Sequence, residues 1–225
     1  MNACEILSHV DHTLLRPTAT WPEIQSLCIE AIAYQTASVC VPPCYVAPIA
    51  ALPGKKPVIC TVIGFPLGYD STAAKVEGAR TAVAQGASEV DMVINLTDVK
   101  NGDFVCVTRE IAAVKEAVGS HLLKVIIETC YLTQEEKIAL CRCVTEAGAD
   151  FIKTSTGFGT GGATLEDIRL FREHIGANVQ MKASGGIRTR EDMEAYLREG
   201  CTRLGTSSAI QILADCARQG QPSAE

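Results

Sequence analysis

Short apolar runs rich in β-branched residues recur eight times along this chain, with helical patterns between them. They fall at His9–Leu15, Ala37–Val41, Pro57–Ile63, Glu89–Ile94, Leu122–Ile127, Asp150–Lys153, Asn178–Lys182 and Thr202–Leu204. Eight units in 225 residues leave about 28 residues each, room for one short strand, one helix and two tight loops. Helix starts carry a capping signature, a Thr followed three residues later by an acid, at Thr20–Glu23, Thr133–Glu136, Thr164–Asp167 and Thr189–Asp192. Gly86, Gly148 and Gly200 stand where helices hand over to the next strand. Alternating β and α units predict a parallel sheet, and eight of them favour closure. A doubly wound sheet should show a glycine fingerprint after its first strand, but that segment reads Asp11-His12-Thr13-Leu14-Leu15-Arg16-Pro17. The expectation is α/β, a single (β/α)8 TIM barrel over residues 1–225, with 219–225 a loose tail.

Composition narrows the partners. The net charge is −6 with no block of like charges, so nothing global draws the chain to nucleic acid or to an anionic membrane. An anionic ligand would need a local site. No apolar stretch approaches the ~18 residues that span a bilayer. Eleven cysteines would suggest a disulfide framework in a small secreted chain. The segment MNACEILSHVDHTLL, however, has no basic stretch followed by an apolar run, and Cys40, Cys60 and Cys106 lie within apolar runs. These read as buried, reduced thiols of a cytoplasmic protein. Cys40-x3-Cys44 and Cys141-x-Cys143 lack a second pair at zinc-finger spacing, and the latter reads as part core, part surface.

In a parallel barrel the chemistry gathers at the carboxyl ends of the strands. Period-two alternation in Val90-Asp91-Met92-Val93-Ile94-Asn95 puts Asp91, Val93 and Asn95 on the inward face. The same rule turns Met181 to the helices and Lys182 inward, and Lys153 ends the neighbouring strand. Two inward lysines disfavour each other's charge, and low dielectric adds to the effect. One of them could then serve as a neutral nucleophilic amine that forms an imine with a carbonyl, with Asp91 relaying protons. The residues alone leave open which lysine bonds to substrate. They also leave open a buried Lys–Asp ion pair with a structural role only.

The loops after strands six, seven and eight carry Thr156-Gly157, Ser184-Gly185-Gly186-Ile187-Arg188 and Gly205-Thr206-Ser207-Ser208. Glycines let backbone N–H groups converge on an anion, and barrels bind phosphate where loops seven and eight meet. Tight turns alone would account for either motif; the two together favour phosphate. His9, Asp11 and His12 could suggest a metal cluster, but a polar network lining the barrel floor fits better, with Asp11, Cys40 and Thr156 as lining support. No metal is expected.

At these residues the chain resembles the deoxyribose-phosphate aldolase family. The carrying segments are Asp11–Leu15, Val58–Gly68, Glu89–Asn95, Lys124–Thr129, Phe151–Gly157, Lys182–Arg188 and Gly205–Ser208, in order over nearly the whole length. The resemblance implies a class I aldolase that reversibly cleaves 2-deoxyribose 5-phosphate to glyceraldehyde 3-phosphate and acetaldehyde. It implies Lys153 as the Schiff-base lysine, Lys182 as the neighbour that tunes it and moves protons, and Asp91 as acid/base partner. It places the phosphate at Gly157, Gly185, Gly186, Arg188, Gly205, Ser207 and Ser208. It implies no cofactor, and a homodimer. Two departures stand out. Pro42 occupies a position where the family usually has Asn, and the chain ends Gln221–Glu225 without the terminal Tyr of some members. Proton transfer would then rest on Asp91, Lys182 and water. The competing readings are another lysine-dependent sugar-phosphate aldolase and a catalytically silent phosphate-binding barrel.

Overall fold

The computed structural model describes residues 1–213; the expected loose tail at 219–225 lies outside them. A short helix α1 (Ala3–Leu7) precedes β1 (Val10–Thr13), which leads into α2 (Trp21–Tyr34). Then come β2 (Ser38–Val41), α3 (Val46–Ala50), β3 (Ile59–Ile63), α4 (Thr72–Ala84) and β4 (Glu89–Val93). Helices α5 (Leu96–Lys100) and α6 (Phe104–Val118) lead to β5 (Leu122–Ile126), α7 (Gln134–Glu146) and β6 (Phe151–Lys153). The last elements are α8 (Leu165–His174), β7 (Gln180–Ser184), α9 (Arg190–Arg198) and β8 (Arg203–Thr206), after which 209–213 are helical. The eight strands pair in sequence order, all parallel, and β8 closes on β1. No described helix is long and apolar enough to cross a membrane.

All four expected Thr caps are present. Thr133 and Thr189 form reciprocal capping boxes with Glu136 and Asp192, Thr20 donates its N–H and hydroxyl to the Glu23 carboxylate, and Thr164 accepts from the Asp167 N–H. Alternation sorts the strands into two layers. Val39, Val41, Val90, Met92, Leu123, Val125, Ile152, Met181 and Leu204 pack outward against the helices in the main core. Cys40, Cys60 and Val62 form a small separate cluster inside the barrel under Leu15 and Phe65. Barrel interiors are ordinarily layers of branched apolar side chains. Here much of the interior is charged.

Several sequence expectations shift. β7 runs two residues later than expected, so Ala183 and Ser184 belong to the strand, because Ser184 pairs in register with Gly205. Gly205 and Thr206 are likewise in β8, not in the loop after it. Asn95 does not reach into the barrel; its side chain accepts from the Thr97 N–H and starts α5. Cys40 and Cys60 are buried as expected, but Cys106 is half-buried near the start of α6, while Cys141 and Cys143 are both buried. A buried ion pair that sequence reading missed braces the top of β4. Lys75 donates to the Val93 carbonyl and to Glu110, both at 2.8 Å, and Glu110 also accepts from the Asn95 N–H.

Candidate active site

Strand register brings the two expected lysines side by side, since Lys153 of β6 pairs directly with Lys182 of β7. The Asp91 carboxylate lies across from them. Its Oδ2 accepts from Lys153 Nζ and Lys182 Nζ, each at 2.7 Å. One carboxylate oxygen thus serves both lysines. Lys182 Nζ also meets Asp11 Oδ2 at 2.5 Å. Burial alone would push Lys182 down, but Asp11 and Asp91 outweigh it and hold its ammonium well above the ordinary lysine range. Lys182 is thus no simple repulsive neighbour, because two carboxylates lock it in its charged form.

A third lysine, which sequence reading passed over, completes the site. Lys124 of β5 is fully buried and reaches Asp91 Oδ1 at 2.9 Å, Glu89 at 2.5 Å and Asp11 at 3.6 Å. Below it, Arg203 of β8 bonds Asp11 at 2.6 Å and Glu89 at 2.7 Å and lies over the Phe151 ring. Burial would raise Asp91, yet Lys124, Lys153 and Lys182 together hold it well below the usual carboxylate range. The same contest, with Lys124, Lys182 and Arg203 opposing burial, depresses Asp11. Both acids are therefore ionised. Lys124 was within reach of the rule that found Lys182, since it alternates with outward Leu123 and Val125; so were Glu89 beside Val90 and Arg203 beside Leu204.

The His9, Asp11 and His12 trio does not converge. Asp11 points into the barrel, His12 Nε2 turns out to Glu30 on α2, and His9 Nδ1 meets the Thr202 carbonyl. Only Asp11 of the three lines the barrel floor. Ligand atoms of Cys40, Cys60 and Asp91 lie within 4.8 Å of one another, as do those of Asp11, Cys60 and Glu89. In both groups the carboxylates already accept from ammonium or guanidinium groups, which a metal would have to displace.

A cleft of about 550 Å³ opens above this cluster at the carboxyl ends of the strands. Of the three barrel lysines, Lys153 alone lines it. Thr156, Gly157, Gly185, Gly186, Arg188, Gly205, Ser207 and Ser208 line it too, together with Arg16 and Phe158. Asp11, Cys40, Asp91 and Lys182 lie beneath and do not reach it. Gly185 and Gly186 have φ of +80° and +75°, a left-handed backbone that glycine adopts without strain and that carries the chain along the cleft wall. Among the described residues, the N–H groups of Gly157, Gly185, Gly186 and Ser207 donate to no protein acceptor. Neighbouring donors are spoken for: Ser208 N–H bonds Thr206 Oγ1, and Phe158 N–H bonds Thr156 Oγ1.

Two placements refine the expectations. Thr156 does not line the barrel itself; its N–H and hydroxyl bond Glu128, a buried residue at φ +53° that sequence reading missed and that pins the β6 loop. Gly205 faces inward, where a Cβ would sit 3.1 Å from Lys182 Cε and 2.9 Å from Ser184 Cβ. Its first role is to make room for Lys182.

This arrangement offers an amine at the floor of a cleft, seated on a carboxylate, with unpaired backbone N–H groups lining the same cleft. Residues 6–218 match the family profile described as DeoC/LacD family aldolase. A deoxyribose-phosphate aldolase of Clostridium botulinum (strain Eklund 17B / Type B) is 61% identical over 220 residues, 98% of this chain and 100% of the relative. One from Clostridioides difficile (strain 630) is 55% identical over 92% of this chain and 95% of the relative. Among solved structures, a tetrameric deoxyribose phosphate aldolase from Aeropyrum pernix superposes with a TM-score of 0.87 at 30% identity, covering 97% of this chain and 93% of that one.

Proposed function

This chain belongs to the DeoC/LacD family of aldolases, and we propose that it reversibly cleaves 2-deoxy-D-ribose 5-phosphate to D-glyceraldehyde 3-phosphate and acetaldehyde through an imine on Lys153. One observation carries the assignment of the lysine. Lys153 is the member of the buried trio that opens to the cleft, which Gly185, Gly186 and Arg188 also line. Lys124 and Lys182 are sealed beneath it.

The phosphate would rest on the N–H groups of Gly157, Gly185, Gly186 and Ser207, with Arg188 and Ser208 beside it. That leaves the sugar's aldehyde carbon directed at Lys153. The neutral amine adds to the carbonyl, and loss of water gives the imine. Once protonated, the imine draws electrons as the C2–C3 bond breaks. The C3 hydroxyl gives up its proton and glyceraldehyde 3-phosphate leaves. The remaining enamine takes a proton at C2, and hydrolysis returns acetaldehyde and the free amine. Asp91 Oδ2, held between Lys153 and Lys182, would carry protons between the cleft and the sealed ammonium. We extend the proposal to a homo-oligomer, which the tetrameric relative supports, and to the dimer that the family resemblance implies; light scattering tests both.

The decisive experiment is borohydride reduction with acetaldehyde or the sugar phosphate, followed by peptide mass mapping. The adduct is expected on Lys153, and activity is expected to survive exhaustive chelation. An adduct on Lys124 or Lys182, or activity that disappears with chelator and returns with metal, overturns the reading.

A further inference from the structure

Every strand of the barrel sends an ionisable group inward. They are Asp11, Cys40, Cys60, Glu89 with Asp91, Lys124, Lys153, Lys182 and Arg203, in order from β1 to β8. Cys60 Sγ bonds Asp91 Oδ1 at 3.2 Å, and burial, foremost, pushes its thiol up. The hydrogen bond from Cys60 pulls the Cys40 thiol the other way, down, and neither thiol is counted among the ion pairs. The ion-paired set is four cations (Lys124, Lys153, Lys182, Arg203) against three carboxylates (Asp11, Glu89, Asp91). A largely buried cluster bearing one unmatched charge is costly, and the cheapest remedy is to shed a proton.

Pairing decides which proton goes. Lys124 contacts three carboxylates, and Lys182 and Arg203 contact two each. Lys153 contacts Asp91 alone, and Asp91 keeps Lys124 and Lys182 when Lys153 lets go. Lys153 is also the one with a water-accessible route for the proton, through the cleft. Further off, Arg16 and Arg188 line the cleft, with Arg16 paired to Glu23, and Glu128 stands behind Thr156.

We infer that the four-to-three composition of the barrel interior makes Lys153 the surplus cation, and that Lys124, Glu89 and Arg203 are positioning residues that set the pH at which Lys153 forms its imine without touching substrate. The effect belongs to the whole cluster, so it is governed by net charge and not by Lys182 alone. This rests on the reading that Lys153 is the imine-forming residue.

The test is the rate of borohydride-trapped adduct formation with acetaldehyde across pH, read by intact mass and peptide mapping. Lys124→Met leaves three cations for three carboxylates. Lys153 should then hold its proton, and the pH midpoint should rise by about one unit, a tenfold loss of neutral amine below it. Glu89→Gln leaves four against two, and the midpoint should fall. The double variant Lys124→Met/Glu89→Gln leaves three against two and should return the midpoint to within a few tenths of the parent. A residue needed only for packing would lower the rate without moving the midpoint in opposite directions, and the double variant would not restore it. Should Lys124→Met fail to fold, the Glu89→Gln shift decides by its sign. Coincident midpoints with the adduct still on Lys153 overturn this inference and spare the imine assignment. An adduct mapped to another lysine overturns the assignment itself.

Discussion

Replacing Gly205 by Ala separates two roles for one residue. Sequence pattern put Gly205 in a phosphate loop, whereas the structure turns it toward Lys182 from within β8. An added Cβ would lie 3.1 Å from Lys182 Cε and 2.9 Å from Ser184 Cβ. Carbon atoms settle at about 3.5–4.0 Å, so the neighbours must retreat by roughly half an ångström or more. Lys182 has little freedom to do so, with its Nζ tied to Asp11 and to Asp91. Overpacking of this kind costs about 1–3 kcal/mol. For a chain of this size that lowers Tm by roughly 2–4 °C per kcal/mol. A displacement of half an ångström in a proton-relay group should cost roughly tenfold in turnover, since about 1 Å can cost a hundredfold. The assay is steady-state cleavage of 2-deoxyribose 5-phosphate and of unphosphorylated deoxyribose, with thermal melts alongside. The expected outcome is a lower Tm and a similar fall in kcat on both substrates, with KM for the phosphorylated sugar within about twofold of the parent. A loss confined to KM of the phosphorylated substrate would refute the packing argument and return Gly205 to the phosphate site.

Arg188→Met should weaken binding of the phosphorylated sugar by about 1.5–3 kcal/mol, the value of a charge-assisted bond, and leave the unphosphorylated sugar almost untouched; equal losses would make these loops mere turns. Asp91→Asn should be less stable than the parent by an amount that stays constant from pH 7 to pH 5. The folded-state carboxyl is depressed, so its contribution is present above the unfolded value of about 3.9 and is lost only as pH falls through the folded one. Urea melts at several pH values check this, and a deficit that vanishes by pH 5 would contradict it. Lys75→Met alone should cost about 3–5 kcal/mol by leaving Glu110 buried without its cation, while Lys75→Met/Glu110→Leu should recover most of that loss in the same melts.

The barrel was legible because its signals are local and repeat. A Thr cap, a run of β-branched residues and a Gly at each helix end need no knowledge of the rest of the chain. What failed were strand ends. Ala183, Ser184, Gly205 and Thr206 have no strong preference for strand, and they extend β7 and β8 because those strands pair with each other. That is a tertiary cause no local window carries.

The site shows a sharper division. Alternation alone found Asp91 and Lys182, and the same rule applied to every strand would have yielded Lys124, Glu89 and Arg203. It could not have yielded their hierarchy. Lys124, Lys153 and Lys182 are equal as letters on inward faces; height along the barrel axis makes them unequal. Lys124 and Lys182 stand third in their strands, and Lys153 stands last in a strand of three. That height gives Lys153 one carboxylate where the others have two or three, and a face on the cleft where they have none. A nucleophilic amine needs both conditions at once: weak retention of its proton and access to a carbonyl. Strand length and register set pairing and position together, so the lysine with the fewest carboxylate partners is also the one that lines the cleft.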